Sequence, residues 1–165
     1  MIVDAHQHFW QLARDDYGWL TPTLAQLYRD FMPDDLAPHL TQHSIDATIL
    51  VQAAPTVAET EFLLGIADTT PFVLGVVGGT DFAAPSAAKD IASLAQHPQL
   101  VGLRPIIQDI ADDDCMLRAD LAPAFEAMID GDLTFDALVL PRHLPNLRRL
   151  LSRYTELRTV IDHGA

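Results

Sequence analysis

The 165-residue chain is 49% hydrophobic, sets 23 acidic against 10 basic residues for a net charge of −13, and contains one cysteine, Cys115. That length builds one domain with a substantial core, no apolar run approaches the ~18 residues of a membrane span, and the acidic field repels a phosphate backbone, which excludes nucleic acid as a partner. A lone cysteine allows no intrachain disulfide and fits a reducing cytoplasm, and nothing at the N-terminus reads as a signal peptide.

Ile2–His6 reads as a short apolar strand that runs into His6-Gln7-His8. Strand side chains alternate faces, so His6 and His8 project to one side. Two imidazoles there can grip one metal ion or the oxygens of one substrate. The segment 9–33 then breaks the strand-helix rhythm and holds Phe9, Trp10, Tyr17, Trp19, Tyr28 and Phe31. An insertion of this length is functional or carries structure of its own. It is either a lid or pocket wall over His6 and His8, with Trp10 against substrate, or a packed excursion with a mini-core.

Five more strands follow: Ala47–Gln52, Phe72–Gly79, Leu100–Ile106, Phe135–Leu140 and Arg158–His163. Most are nearly continuous in apolar and β-branched residues, as in parallel strands buried on both faces. Thr56-x-x-Glu59 is a capping box that opens a helix through Asp68. Pro85-Ser86 precedes Ile91, Leu94 and Ala95; Leu121, Phe125, Met128 and Ile129 recur at helical spacing; Pro145 starts a helix carrying Leu147, Leu150, Leu151 and Tyr154. Repeated strand-helix units leave an open doubly wound sheet or a (β/α) barrel. No linker or charge block divides residues 1–165, which read as one domain. His39, His43 and His97 fall in helical or helix-end contexts and read as surface residues.

Several polar residues sit at strand ends, where enzymes of these architectures keep their chemistry. Arg104, in Gly102-Leu103-Arg104-Pro105, is costly to bury unless it meets an anion or a polarised oxygen; the alternative is an ion pair with a loop acid such as Asp109. In Val160-Ile161-Asp162-His163-Gly164, His163 sits where a third imidazole joins His6 and His8, and Gly164 allows a tight backbone exit. Alternation places Asp162 on the opposite face from His163. Gln52 and His143 end or follow strands and are candidate substrate contacts. Asp112-Asp113-Asp114 reads as a solvated loop.

The one lysine, Lys89, lies inside a helix, so a binuclear site bridged by a carboxylated strand lysine cannot be assembled. No Gly-x-Ser-x-Gly, Gly-x-x-x-x-Gly-Lys or Gly-x-Gly-x-x-Gly occurs, which removes serine-nucleophile and nucleotide readings. The acidic surroundings of Cys115 raise its pKa and make it a poor nucleophile.

Asp4-Ala5-His6-Gln7-His8-Phe9-Trp10, Trp19-Leu20-Thr21-Pro22, Tyr28-Arg29-Asp30-Phe31, Val101-Gly102-Leu103-Arg104, Phe135-Asp136 and Val160-Ile161-Asp162-His163-Gly164 together resemble the lactonase branch of the amidohydrolase superfamily. That branch includes hydrolases of sugar lactones such as fuconolactone and rhamnonolactone. The resemblance runs through essentially the whole chain. It implies a (β/α)8 TIM barrel of the metal-dependent hydrolase type, of which the chain supplies about the first six strand-helix units.

It also implies hydrolysis of a small cyclic ester, with carbohydrate catabolism as the setting. His6 and His8 match the first-strand pair, Arg104 the arginine facing the substrate carbonyl, and His163 the later-strand histidine. The branch works with no metal or with one divalent ion, commonly zinc, and a homo-oligomer is compatible with it. In the family the last strand ends in an aspartate that serves as general base, and this chain stops after the sixth strand, as an N-terminal portion would. The rival readings are a zinc-dependent decarboxylase of the same superfamily and an inactive remnant.

Overall fold

Six parallel strands hydrogen-bond in their chain order, β1 to β6. They are β1 Val3–Gln7, β2 Ala47–Val51, β3 Val73–Gly78, β4 Leu100–Leu103, β5 Thr134–Ala137 and β6 Thr159–Ile161. Because every strand neighbours the next, the order never reverses and no switch point exists, which excludes the doubly wound alternative. The sheet curls as six units of a (β/α)8 barrel. The computed structural model describes all residues, Met1–Ala165.

Five helices cover the convex face: α1 Pro33–His43, α2 Val57–Thr69, α3 Ala87–Leu94, α4 Ala122–Asp130 and α5 Leu144–Arg153. A core of 28 buried residues lies between helices and sheet, including Leu50, Val76, Leu103 and Phe135 from the strands and Leu63, Ile91, Met128 and Leu150 from the helices. Four helices start where the spacing predicts. The apolar pattern does not delimit α1, because Leu40 is its one buried residue and a helix that buries so little shows no stripe. Five of the six predicted strands, all but the first, overrun the observed ones at their C-terminal ends. There the backbone leaves the ladder for 3-10 turns at Ile107–Asp109, Pro141–His143 and Asp162–Gly164.

Three of the five strand pairings shift in register, and the shift between β3 and β4 sets the direction of Arg104. Val76 pairs with Leu100, but Val77 pairs with Gly102, so Val101 is an extra residue in β4. Strict alternation from the core residue Leu100 would turn Arg104 toward the helices. The extra residue lets both Leu100 and Leu103 reach the core and turns Arg104 to the concave face, the re-aiming for which bulges serve near sites. Nearby, a Cβ at Gly78 would lie 2.4 Å from Thr60 Cγ2, and the Thr60 hydroxyl accepts from Gly79 N–H at 2.8 Å. Only glycine lets α2 approach β3 this closely.

Half of the capping box at α2 forms. Thr56 Oγ1 accepts from Glu59 N–H at 3.0 Å, but the Glu59 carboxylate does not return to Thr56. It is fully buried and instead accepts from Tyr17 Oη at 2.8 Å and Ala53 N–H at 3.2 Å, with Arg14 Nε 3.5 Å away. Segment 9–33 is thereby pinned to α2, and Trp10, Tyr17, Leu20 and Ala54 form a satellite core beneath it. Burial raises the Glu59 carboxyl, and burial reinforced by the Glu59 charge raises the Tyr17 hydroxyl, which stays a donor.

Two outcomes are expected. Tyr17→Phe should cost about 1.5–3 kcal/mol, the range for a hydrogen bond to a charged group, and should speed proteolysis within 9–33. Val160 and Ile161 on edge strand β6 are 49% and 47% exposed, and such edges pair with other chains. The 165-residue chain should therefore self-associate on light scattering, and Val160→Lys should reduce that association.

Candidate active site

Two strand ends and one turn meet on the concave face. Gln7 points to the helix side, where its amide donates to Thr48 Oγ1 at 3.2 Å, so His6 and His8 share the other side. Their Nε2 atoms are 3.1 Å apart. His8 Nδ1 lies 2.8 Å from the Val51 carbonyl, and His6 Nδ1 lies 2.9 Å from Asp162 Oδ1. Arg104, 5% exposed, donates from Nη1 to Asp162 Oδ2 at 2.8 Å and from Nη2 to the Gln52 carbonyl, and Nη1 lies 3.3 Å from His6 Nε2. The His163 ring stands 5.0 Å from that of His6.

Asp162 corrects the expectation from alternation. β6 ends at Ile161, and His163 has φ 55° and ψ 3° inside the turn that follows. With the period of two broken, Asp162 and His163 both turn toward His6. Ligand atoms of His6, Asp162 and His163 lie within 4.8 Å of one another. The partner of Arg104 is thus Asp162 on the next strand but one, and not the loop acid Asp109. Burial by itself would raise the Asp162 carboxyl, but the Arg104 hydrogen bond and the neighbouring charges hold it below the usual range.

The hydrogen bonds fix the tautomers. A carbonyl can only accept, so His8 carries its proton on Nδ1; a carboxylate likewise fixes the His6 proton on Nδ1. Both Nε2 atoms then carry lone pairs, 3.1 Å apart, and the cationic Arg104 Nη1–H, 3.3 Å from His6 Nε2, meets that of His6. Two nitrogens bound tetrahedrally at about 2.0–2.1 Å would be separated by about 3.3 Å, so the pair fits one divalent ion. Burial lowers both imidazoles, His8 to about 4, and keeps them unprotonated at neutral pH.

The other predicted residues stand apart. Gln52 is fully buried and its amide donates to the Arg104 carbonyl at 2.8 Å, so it braces that arginine. His143, also fully buried, accepts from Leu140 N–H at 3.1 Å and lies 3.4 Å from Asp113; it organises the loop after β5. Trp10 donates to the Arg29 carbonyl at 2.8 Å and packs on Trp19 and Phe31 in the satellite core. Asp113 and Asp114 are exposed and bound to Arg142 and Asn146, and Lys89 is exposed on α3.

Asp136 stands in the sequence only as part of the Phe135-Asp136 motif, with no site role assigned to it. Leu103 pairs with Phe135 on the core side, so one step on, Arg104 and Asp136 are neighbours on the concave face. Asp136 is 8% exposed, and burial, followed by the Asp162 charge, pushes its carboxyl up to about 6 while Arg104 pulls it down. An acid within a β-rich run was the available signal.

Residues 3–165 match the family described as Amidohydrolase. The chain is 50% identical over 163 residues to an L-fucono-1,5-lactonase of Burkholderia ambifaria, covering 99% of this chain and 56% of that protein. It is 35% identical to an L-fucono-1,5-lactonase of Burkholderia multivorans, over 98% of this chain and 55% of the relative. It therefore spans about half the length of these relatives. A crystal structure of a Burkholderia multivorans amidohydrolase with bound zinc superposes with a TM-score of 0.89 at 34% identity, over 99% of this chain and 58% of that one.

The raised Asp136 carboxyl has a measurable consequence. The native state holds its proton more tightly than an unfolded carboxyl near 3.9 does, so stability is lost as pH rises from about 4 through 6. Asp136→Asn removes the loss. The variant should match the wild type in urea unfolding at pH 4 and exceed it at pH 7.5 by up to about 3 kcal/mol. An equal difference at both pH values would contradict this.

Proposed function

The chain belongs to the amidohydrolase family, and from that premise we propose that it carries the carbonyl-binding and metal-binding part of a lactone hydrolase acting on a sugar aldonolactone. The observation that carries this reading is Arg104: a buried guanidinium aimed at the histidine cluster and held from behind by Asp162 and the Gln52 carbonyl. The names of the two Burkholderia lactonases support the substrate class.

In this reading water attacks the ring carbonyl carbon and charge develops on its oxygen. Arg104 stabilises that oxyanion, and does so without reorganising, because its donors are already fixed. The ring C–O bond then breaks, the leaving oxygen takes a proton, and a hydroxy acid results. His6 and His8, with His163 beside them, would hold one divalent ion, zinc as in the Burkholderia multivorans structure, and when bound it supplies a Lewis acid toward the carbonyl. Asp162 keeps the His6 proton on Nδ1, so Nε2, which Arg104 Nη1 faces at 3.3 Å, is the atom that would coordinate. The resemblance assigns the general base toward water to an aspartate ending an eighth strand, a place that none of the six strands here provides.

The test joins the chain to the C-terminal portion of the Burkholderia ambifaria lactonase and follows proton release from aldono-1,5-lactones. Hydrolysis is expected, with Arg104→Met lowering kcat by about 10²–10³, the scale for removing one oxyanion donor. An unchanged kcat would remove Arg104 from the chemistry. Elemental analysis of the same protein should find one ion, and the His6→Ala/His8→Ala double variant should bind none; two bridged ions would contradict the lysine argument.

A further inference from the structure

The loops after β2, β3 and β4, with the approach to α4, frame a cavity of about 410 Å³. None of His6, His8, Arg104, Asp162 and His163 lines it, although Pro105 in its wall is bonded to Arg104. Nor does any residue of the edge strands β1 and β6. Protein interiors are packed like crystals, and voids larger than a water molecule are few. An apolar cavity of about 150 Å³ already admits benzene, so this one has room for two fused rings.

The lining selects the guest. Nine of its fourteen residues are hydrophobic, and water held against them finds few hydrogen-bond partners. Phe82, Cys115, Met116 and Phe125 are all buried and all line it, with the two phenyl rings edge to face, 5.6 Å between centroids. Ring edges and polarisable sulfur favour an aromatic guest over an alkyl chain. Ile110, which also lines the cavity, is 43% exposed, and a guest there covers apolar surface that now faces water.

The charged lining residues are Asp81 and Arg118. Arg118 is paired with Asp120, which takes both its Nε and its Nη2. A ligand carboxylate would thus meet the Asp81 charge, a neutralised guanidinium and the field of a chain with net charge −13. We propose that this cavity is a second ligand site, taking an uncharged aromatic molecule of one or two rings. It stands apart from the lactone reading, since nothing in it depends on what the concave face hydrolyses.

The chain's four methionines are Met1, Met32, Met116 and Met128, and of these only Met116 lines the cavity. The 165-residue chain carrying 13C-methyl methionine is titrated with indole, the Met116 signal being assigned from Met116→Leu. Indole should shift the Met116 methyl by ring current and saturate with a Kd below about 1 mM, while the Met1 and Met32 methyls stay in place. Indole-3-acetate, the same rings with a carboxylate, should bind at least about tenfold more weakly.

Ala83→Trp, at an exposed lining position, should fill the space and weaken indole binding at least about tenfold. Ala83→Ser, which leaves the space open, should bind within about twofold of wild type. No Met116 shift at about 5 mM indole overturns the proposal, whether or not Ala83→Trp folds. Equal shifts at Met1, Met32 and Met116 overturn it too, as the mark of non-specific contact with apolar surface. Unchanged indole affinity in a folded Ala83→Trp places the indole elsewhere, and equal affinity for indole-3-acetate overturns the selection against charge.

Discussion

Everything on the concave face is organised by one carboxylate. Asp162 takes Arg104 on one oxygen and His6 on the other, and so ties β6 to β4 and to β1 across the curl of the sheet. A buried ion pair of this kind is no cheap source of stability, because desolvating each ion costs several kcal/mol and the attraction barely repays it. What it secures is orientation. Remove Asp162 and the guanidinium is left buried with only the neutral Gln52 carbonyl and His6 ring to meet its charge, a loss of about 3–5 kcal/mol. The proton of His6 would also be released from Nδ1, and with it the lone-pair geometry between His6 and His8.

The same interaction explains why the segments around it are irregular. A strict pleat would send Arg104 into the helix layer and Asp162 away from His163. The extra residue at Val101 in β4 turns Arg104 to the concave face, where the register already carries Asp162, and the left-handed His163 after β6 brings its own ring to that side. Neither departure is stabilising locally: a bulge loses ladder hydrogen bonds, and φ 55° on a non-glycine residue is strained.

That is also the boundary of what the sequence discloses. Apolar runs and helix starts announce six strands and four of the five helices, and strand ends announce His6, His8, Arg104 and His163, since each depends on its own neighbours in the chain. Asp162 is lost to a rule that holds only while the pleat continues. Glu59 reads as a cap because Thr56 precedes it, and no local pattern reveals that Tyr17, 42 residues away, claims the carboxylate. Gln52 and His143 are polar residues at suggestive places of which one atom each, Gln52 Nε2 and His143 Nδ1, is engaged by the Arg104 carbonyl and the Leu140 N–H, a matter of tertiary geometry. Asp136 is legible only through register, because its meaning comes from standing beside Arg104.

Segment 9–33 settles a related question by its packing. Trp10, Tyr17 and Leu20 bury one another, and Trp19 donates to the Ala53 carbonyl at 2.9 Å, so the segment is a packed excursion with its own small core. That core rests on the loop after β2, and Glu59 beneath it is buried with three donors around its carboxylate. A lid that opened would have to expose or strip that carboxylate, at a cost of several kcal/mol. The packed part of the segment, Trp10–Leu20, therefore braces the Val51–Ala54 stretch whose carbonyls orient His8 and Arg104. The aromatic insertion serves the site through the backbone it immobilises, and its rings need not reach a ligand to do so.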